Sequence, residues 1–145
     1  DETVYKKLFA ILEKLNIGYF FYIGGNDSMD TIAKLSRYGA QVVLTGLDYE
    51  PGKVGSGCLS ADGGTISLHE RIAQYYPGTG DLFAAVVLGA LLNGRALADA
   101  CALAGEFVKD CIAYTAAQHT DPMHGVQFEK LLPRLFSCHE NRTEV

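Results

Sequence analysis

The chain has 145 residues, of which 48% are hydrophobic and 20% charged, with a formal net charge of −5; this suits one globular domain with a buried core. The acidic balance argues against a nucleic-acid or anionic-membrane surface, and no apolar run reaches the ~20 residues of a membrane helix. The four cysteines, Cys58, Cys101, Cys111 and Cys138, form no CxxC pair, which reads as reduced, buried thiols in a cytoplasmic protein.

Asp1 opens directly into a helical pattern without an initiator Met, as a fragment or processed chain would. Val4, Leu8, Ile11, Leu12 and Leu15 repeat at helical spacing, and Gly18 is the expected stop. Residues 19–23 (YFFYI) and 41–45 (QVVLT) read as buried strands, separated by a glycine turn and a helix over 29–38. That alternation predicts a three-layer α/β fold with a small, mostly parallel sheet. Residues 47–57 hold Pro51, Gly52, Gly55 and Gly57 and read as a mobile loop. Strands over 56–60 and 65–72 flank Ala61-Asp62-Gly63-Gly64, a hairpin signal because Asp-Gly and Gly-Gly supply positive φ. Long helices are expected over 79–93 and 97–117, divided by Gly94, and a shorter one over 126–136, interrupted by Pro133. The polar tail should fray.

Gly78-Thr79-Gly80-Asp81 stands at the start of an apolar helix. Helix N-termini present unpaired N–H groups and a positive dipole end to anions, and glycine lets an anion approach closely. Asp81 is suited to taking a proton from an attacking hydroxyl, so the group suggests phosphoryl transfer. The plainer alternative makes Thr79 an N-cap and Asp81 a first-turn acid. His69, His119, His124 and His139 lack metal-ligand spacing, and no metal site is expected from the sequence. Tyr75 and Tyr76 could contact a nucleotide or pack at a strand end, and Cys101 and Cys111 fall on the apolar face of a helix with Ala104, Phe107 and Val108.

VVLTG at Val42 to Gly46, YEPGKVGSG at Tyr49 to Gly57, the hairpin, and GTGDLFAAVVLGALLNG at Gly78 to Gly94 occur in that order. From about Ala40 to His139 the chain resembles the C-terminal half of pyridoxal/pyridoxamine kinases of the ribokinase-like superfamily. The resemblance implies a half-domain using ATP and Mg²⁺ to phosphorylate the hydroxymethyl group of a vitamin B6 vitamer. Asp81 would be the base, the N–H groups of Gly78, Thr79 and Gly80 the anion hole, and Thr45 and Gly46 neighbours of the ATP phosphates. Residues 49–57 would form a lid; Lys53 is either a phosphate partner or a solvated lysine. The expected partner is a small-molecule substrate, with a homodimer left open.

Residues 1–39 resemble instead a segment of phosphofructokinases, of the pyrophosphate-using type, through YFFYIGGNDSMDTIAKLS at Tyr19 to Ser36. This implies a second phosphate turn at Gly24, Gly25, Asp27 and Ser28. Asn26 stands where that family often has aspartate; a plain strand-to-helix turn capped by Ser28 is the alternative. Two kinase patterns therefore meet near Gly39-Ala40 within one α/β domain, 1–145, ending in a tail at 140–145, as in a chimera or fragment. The join displaces the B6-kinase substrate pocket and its Asn-x-x-Glu element, so the alternatives to an incomplete B6 kinase are a hybrid without turnover that retains phosphate or nucleotide binding, and a phosphofructokinase-related protein.

Overall fold

The computed structural model describes residues 2–17, 41–48, 50–60 and 63–137. Helix α1 spans Glu2–Lys14. Asn16 ends it in the left-handed region (φ 51°), with Asn16 N–H donating to Glu13 O (3.0 Å) and Ile17 N–H to Leu12 O (2.9 Å). Those paired bonds form a Schellman end, so Asn16 performs the role expected of Gly18. The 19–23 strand, the turn at Gly24, Gly25, Asp27 and Ser28, the helix over 29–38 and the tail from 138 onward lie outside the described residues.

Three strands follow, β1 (Val42–Leu47), β2 (Lys53–Ser60) and β3 (Gly63–Glu70), in the order β1-β2-β3. Both pairings are antiparallel. The parallel pairing expected between 19–23 and 41–45 involves residues outside the described set. The hairpin forms, but Gly63 and Gly64, expected in its turn, open β3 instead, opposite Ser60 and Leu59, and the strand ends at Glu70. The loop expectation over 47–57 is corrected, because Leu47 belongs to β1 and Lys53 to Gly57 pair with Glu70 to Ile66. Gly55 and Gly57 lie in the sheet, while Gly52 keeps a turn position with φ 77°. A Cβ on Gly57 would lie 3.1 Å from the Thr65 carbonyl oxygen, and one on Gly55 would meet Leu68 at 3.4 Å and Ile66 and Leu47 at 3.5 Å.

Helix α2 spans Thr79–Leu92 and α3 Leu97–Ala117, close to the expected bounds. Gly94 (φ 78°) separates them, with its N–H on Leu91 O (2.9 Å) and that of Arg95 on Ala90 O (3.0 Å). Ala100, Cys101, Ala104, Phe107, Cys111 and Thr115 are buried along α3 at the three-to-four-residue spacing of one helix face. Ala100, Cys101, Ala104, Phe107 and Cys111 pack with Phe83, Val86, Val87 and Ala90 of α2 and with Leu131. The opposite side of this core meets the sheet, where the Ser56 hydroxyl donates to Cys101 O (3.5 Å). Cys101 and Cys111 are buried free thiols and Cys58 a half-buried one. No helix among the described residues is long and apolar enough to cross a membrane.

The helix expected over 126–136 is corrected to a short helix α4, Pro133–Ser137. Pro133 starts it instead of interrupting it, because proline's fixed φ and missing N–H suit a first helical turn. Before it, Asp121 caps a 3₁₀ turn over Pro122–His124 by accepting from Met123 N–H (2.9 Å).

Candidate active site

Gly78 turns into α2 with φ 81° and ψ −2°, a left-handed conformation that a side chain would strain. It is the N-cap; Thr79 is the first helical residue, and its hydroxyl turns back to Tyr76 O (3.4 Å). The capping role considered for Thr79 is therefore corrected. No side chain caps the helix, and Leu82 N–H is the first bonded within it, to Gly78 O at 3.0 Å. The N–H groups of Thr79, Gly80 and Asp81 thus precede the helical ladder, at its positive end. No neighbour lies within 4 Å of the position a Cβ would take on Gly78 or Gly80, which leaves the backbone accessible.

Gly78 and the exposed Asp81 line a cleft of about 660 Å³. Its floor is α2 (Leu82, Ala85, Val86, Gly89), and its far wall carries His124, Gly125, Val126 and Phe128. A few polar groups in an apolar concavity of this size match the general character of small-molecule sites. Among the described residues, Asp81 is the one carboxylate in the lining, and no group of three or more His, Cys, Asp or Glu side chains converges to hold a metal. A resident Mg²⁺ does not fit that donor set.

Thr45 and Gly46 are exposed at the end of β1, where the register shifts and Gly46 takes φ 73°; they are outside the cleft lining. Lys53 is ion-paired with Glu50 at 2.8 Å, and that carboxylate's hydrogen bond and charge raise its pKa above 10.5. Lys53 to Gly57 lie in the sheet ladder, so among the described residues of the expected lid only Glu50 to Gly52 precede it, which shortens the lid. Tyr76 is buried and Tyr75 exposed. His69 packs on α3, its Nδ1 3.2 Å from Glu106. The 124–136 wall of the cleft was not evident from sequence; Asp121-Pro122 and Gly125, a turn signal and a positive-φ glycine, were its available signs.

No family model matches the chain. Over 36 residues, 25% of this chain and 9% of the relative, it is 50% identical to pyrophosphate–fructose 6-phosphate 1-phosphotransferase of Rhodospirillum rubrum. Pyridoxal kinase from Lactobacillus plantarum superposes with a TM-score of 0.67 at 29% identity, over 85% of this chain and 46% of that one. A protein described as a phosphomethylpyrimidine kinase from Bacteroides thetaiotaomicron gives 0.68 at 23% identity, over 94% and 53%. Its crystal form with pyridoxal gives 0.64 at 25% identity, over 86% and 46%. The chain therefore has an α/β fold shared with ribokinase-like kinases, and it spans about half the length of these solved structures.

Proposed function

We propose that this chain is the phosphate- and base-bearing part of a kinase that moves the γ-phosphate of ATP to the hydroxymethyl group of a vitamin B6 vitamer. The observation that carries the reading is the left-handed Gly78 leading into an uncapped helix, with Asp81 in its first turn and both residues lining one apolar cleft. Kinases of this fold supply its context.

Phosphoryl transfer depends chiefly on positioning and charge stabilisation. The N–H groups of Thr79 and Gly80, with that of Gly78, would hold the anionic phosphate at the helix mouth. The Asp81 carboxylate would accept the proton of the attacking hydroxyl. The apolar floor would receive a flat ring and exclude water, strengthening those interactions. Thr45 and Gly46 would contact the nucleotide from the end of β1. Mg²⁺ would arrive with ATP, and no step here is assigned to it.

Turnover by the chain alone is expected to be small, because residues 1–39 do not carry the B6-kinase substrate pattern. The 36-residue match to a pyrophosphate-dependent phosphotransferase favours a second reading, a hybrid that binds phosphate or nucleotide without turnover. A coupled assay of ATP consumption with and without pyridoxal separates the two. Pyridoxal-dependent consumption supports the kinase; ATP binding without it supports the hybrid. Activity with fructose 6-phosphate and pyrophosphate instead would move the reading to the phosphofructokinase-like segment.

A further inference from the structure

Thr115 is wholly buried in the last turn of α3, yet it is polar. Its hydroxyl donates to Cys111 O (2.7 Å) and accepts from Gln127 N–H (2.8 Å). One hydroxyl offers one proton and two lone pairs, so both bonds are made at once. The first is an ordinary bond to the preceding helical turn. The second reaches 12 residues along the chain to a segment outside regular structure. The Gln127 side chain adds a bond to Thr120 Oγ1 (3.3 Å), so the strap over residues 122–128 is tied to α3 through Thr115 and to the segment just beyond the helix through Thr120.

That strap is the far wall of the cleft, through His124, Gly125, Val126 and Phe128. Gly125 takes φ 75°, and its absent Cβ would lie 3.4 Å from the carbonyl oxygen of Pro77. The strap backbone therefore abuts the peptide that enters Gly78. A shift of the strap would be felt at the helix mouth, because packed interiors transmit small displacements.

We propose that Thr115 is a positioning residue, a latch that fixes the 122–128 strap against the Pro77-Gly78 turn and so sets the geometry of the anion site. The proposal rests on the reading of Gly78 to Asp81 as that site. It assigns no contact between Thr115 and ligand. The hydroxyl acts through Gln127 and Gly125.

The test compares Thr115→Val, which keeps shape and removes the hydroxyl, with Thr115→Ser, which keeps the hydroxyl. ATP affinity is read by calorimetry, and hydrogen exchange is read at the Gln127 amide. Thr115→Val should weaken ATP binding by up to about tenfold, since losing the bond lets the strap leave the binding-competent position, and should lose Gln127 protection. Thr115→Ser should match the parent in both. A folded Thr115→Val with parental ATP affinity overturns the latch, as does Thr115→Ser weakened equally. If Thr115→Val does not fold, Gly125→Ala perturbs the strap from its other end; parental affinity in that variant also overturns the proposal. A parent chain that does not bind ATP overturns the anion-site reading instead. Gln127 protection that is equal in the Val and Ser variants then rejects the tie itself.

Discussion

Gly105 lies inside α3, where alanine would ordinarily stabilise the helix by about 1 kcal/mol. Here the sign should reverse. A Cβ on Gly105 would sit 2.2 Å from His69 Nε2 and 2.8 Å from its Cδ2, far inside contact distance. The ring is poorly placed to yield, since its side chain is 10% exposed and its Nδ1 is 3.2 Å from Glu106. Overpacking of this kind typically costs about 1–3 kcal/mol, so the net effect of Gly105→Ala should be a loss of about 1 kcal/mol. In a domain of this size that lowers Tm by roughly 2–4 °C. Chemical denaturation of Gly105→Ala, His69→Ala and the double variant isolates the pair. In the His69→Ala background the clash is gone, and Gly105→Ala should stabilise by up to about 1 kcal/mol. Equal effects of Gly105→Ala in both backgrounds would refute the contact between β3 and α3 as described.

Two further predictions concern chemistry. In any preparation with kinase activity, Asp81→Asn should lower kcat by ~10²–10⁴-fold and leave ATP affinity similar or tighter, because a negative charge beside the phosphate is removed; Asp27→Asn is the control, and activity lost with Asp27→Asn but kept with Asp81→Asn would relocate the centre. Burial first, then the neighbouring Cys58, pushes the Cys101 thiol up from 9.0 to about 12, and burial, then Asp110, pushes Cys111 up from 9.0 to about 11. The fold thus favours the neutral thiols, so their contribution is fully present below pH 9 and is lost as pH rises to about 11–12, where the folded thiols ionise too. Denaturation midpoints should fall across that window, and less steeply in Cys101→Ala; the same slope in both would show that this thiol is not responsible.

The helices around the site were legible because local chemistry agreed with tertiary structure. Gly78 and Gly94 bracket an apolar run, and Ala100, Ala104, Phe107 and Cys111 repeat on one face of the next. Local signs misled where long-range packing used the same residues differently. Gly55 and Gly57 look like loop glycines, but both pair within β2, and a Cβ on Gly57 would press on the Thr65 carbonyl oxygen at 3.1 Å. Pro133 looked like a helix breaker and is a helix start. Of the candidate site, Gly78 and Asp81 reach one cleft, while Thr79, Gly80, Thr45 and Gly46 stay outside its lining. The opposite wall depends on a hydrogen bond between Thr115 and Gln127, which has no periodic or compositional signature.

The most direct test of the central claim is a titration of the ¹⁵N-labelled chain with Mg²⁺–ATP, followed by amide NMR. Binding at the helix mouth should move the Gly78, Thr79 and Gly80 signals first and most, in a saturable way, because their N–H groups would meet the phosphate directly. Saturable shifts confined to Gly24 through Ser28, or no saturable shift at all, would contradict the account.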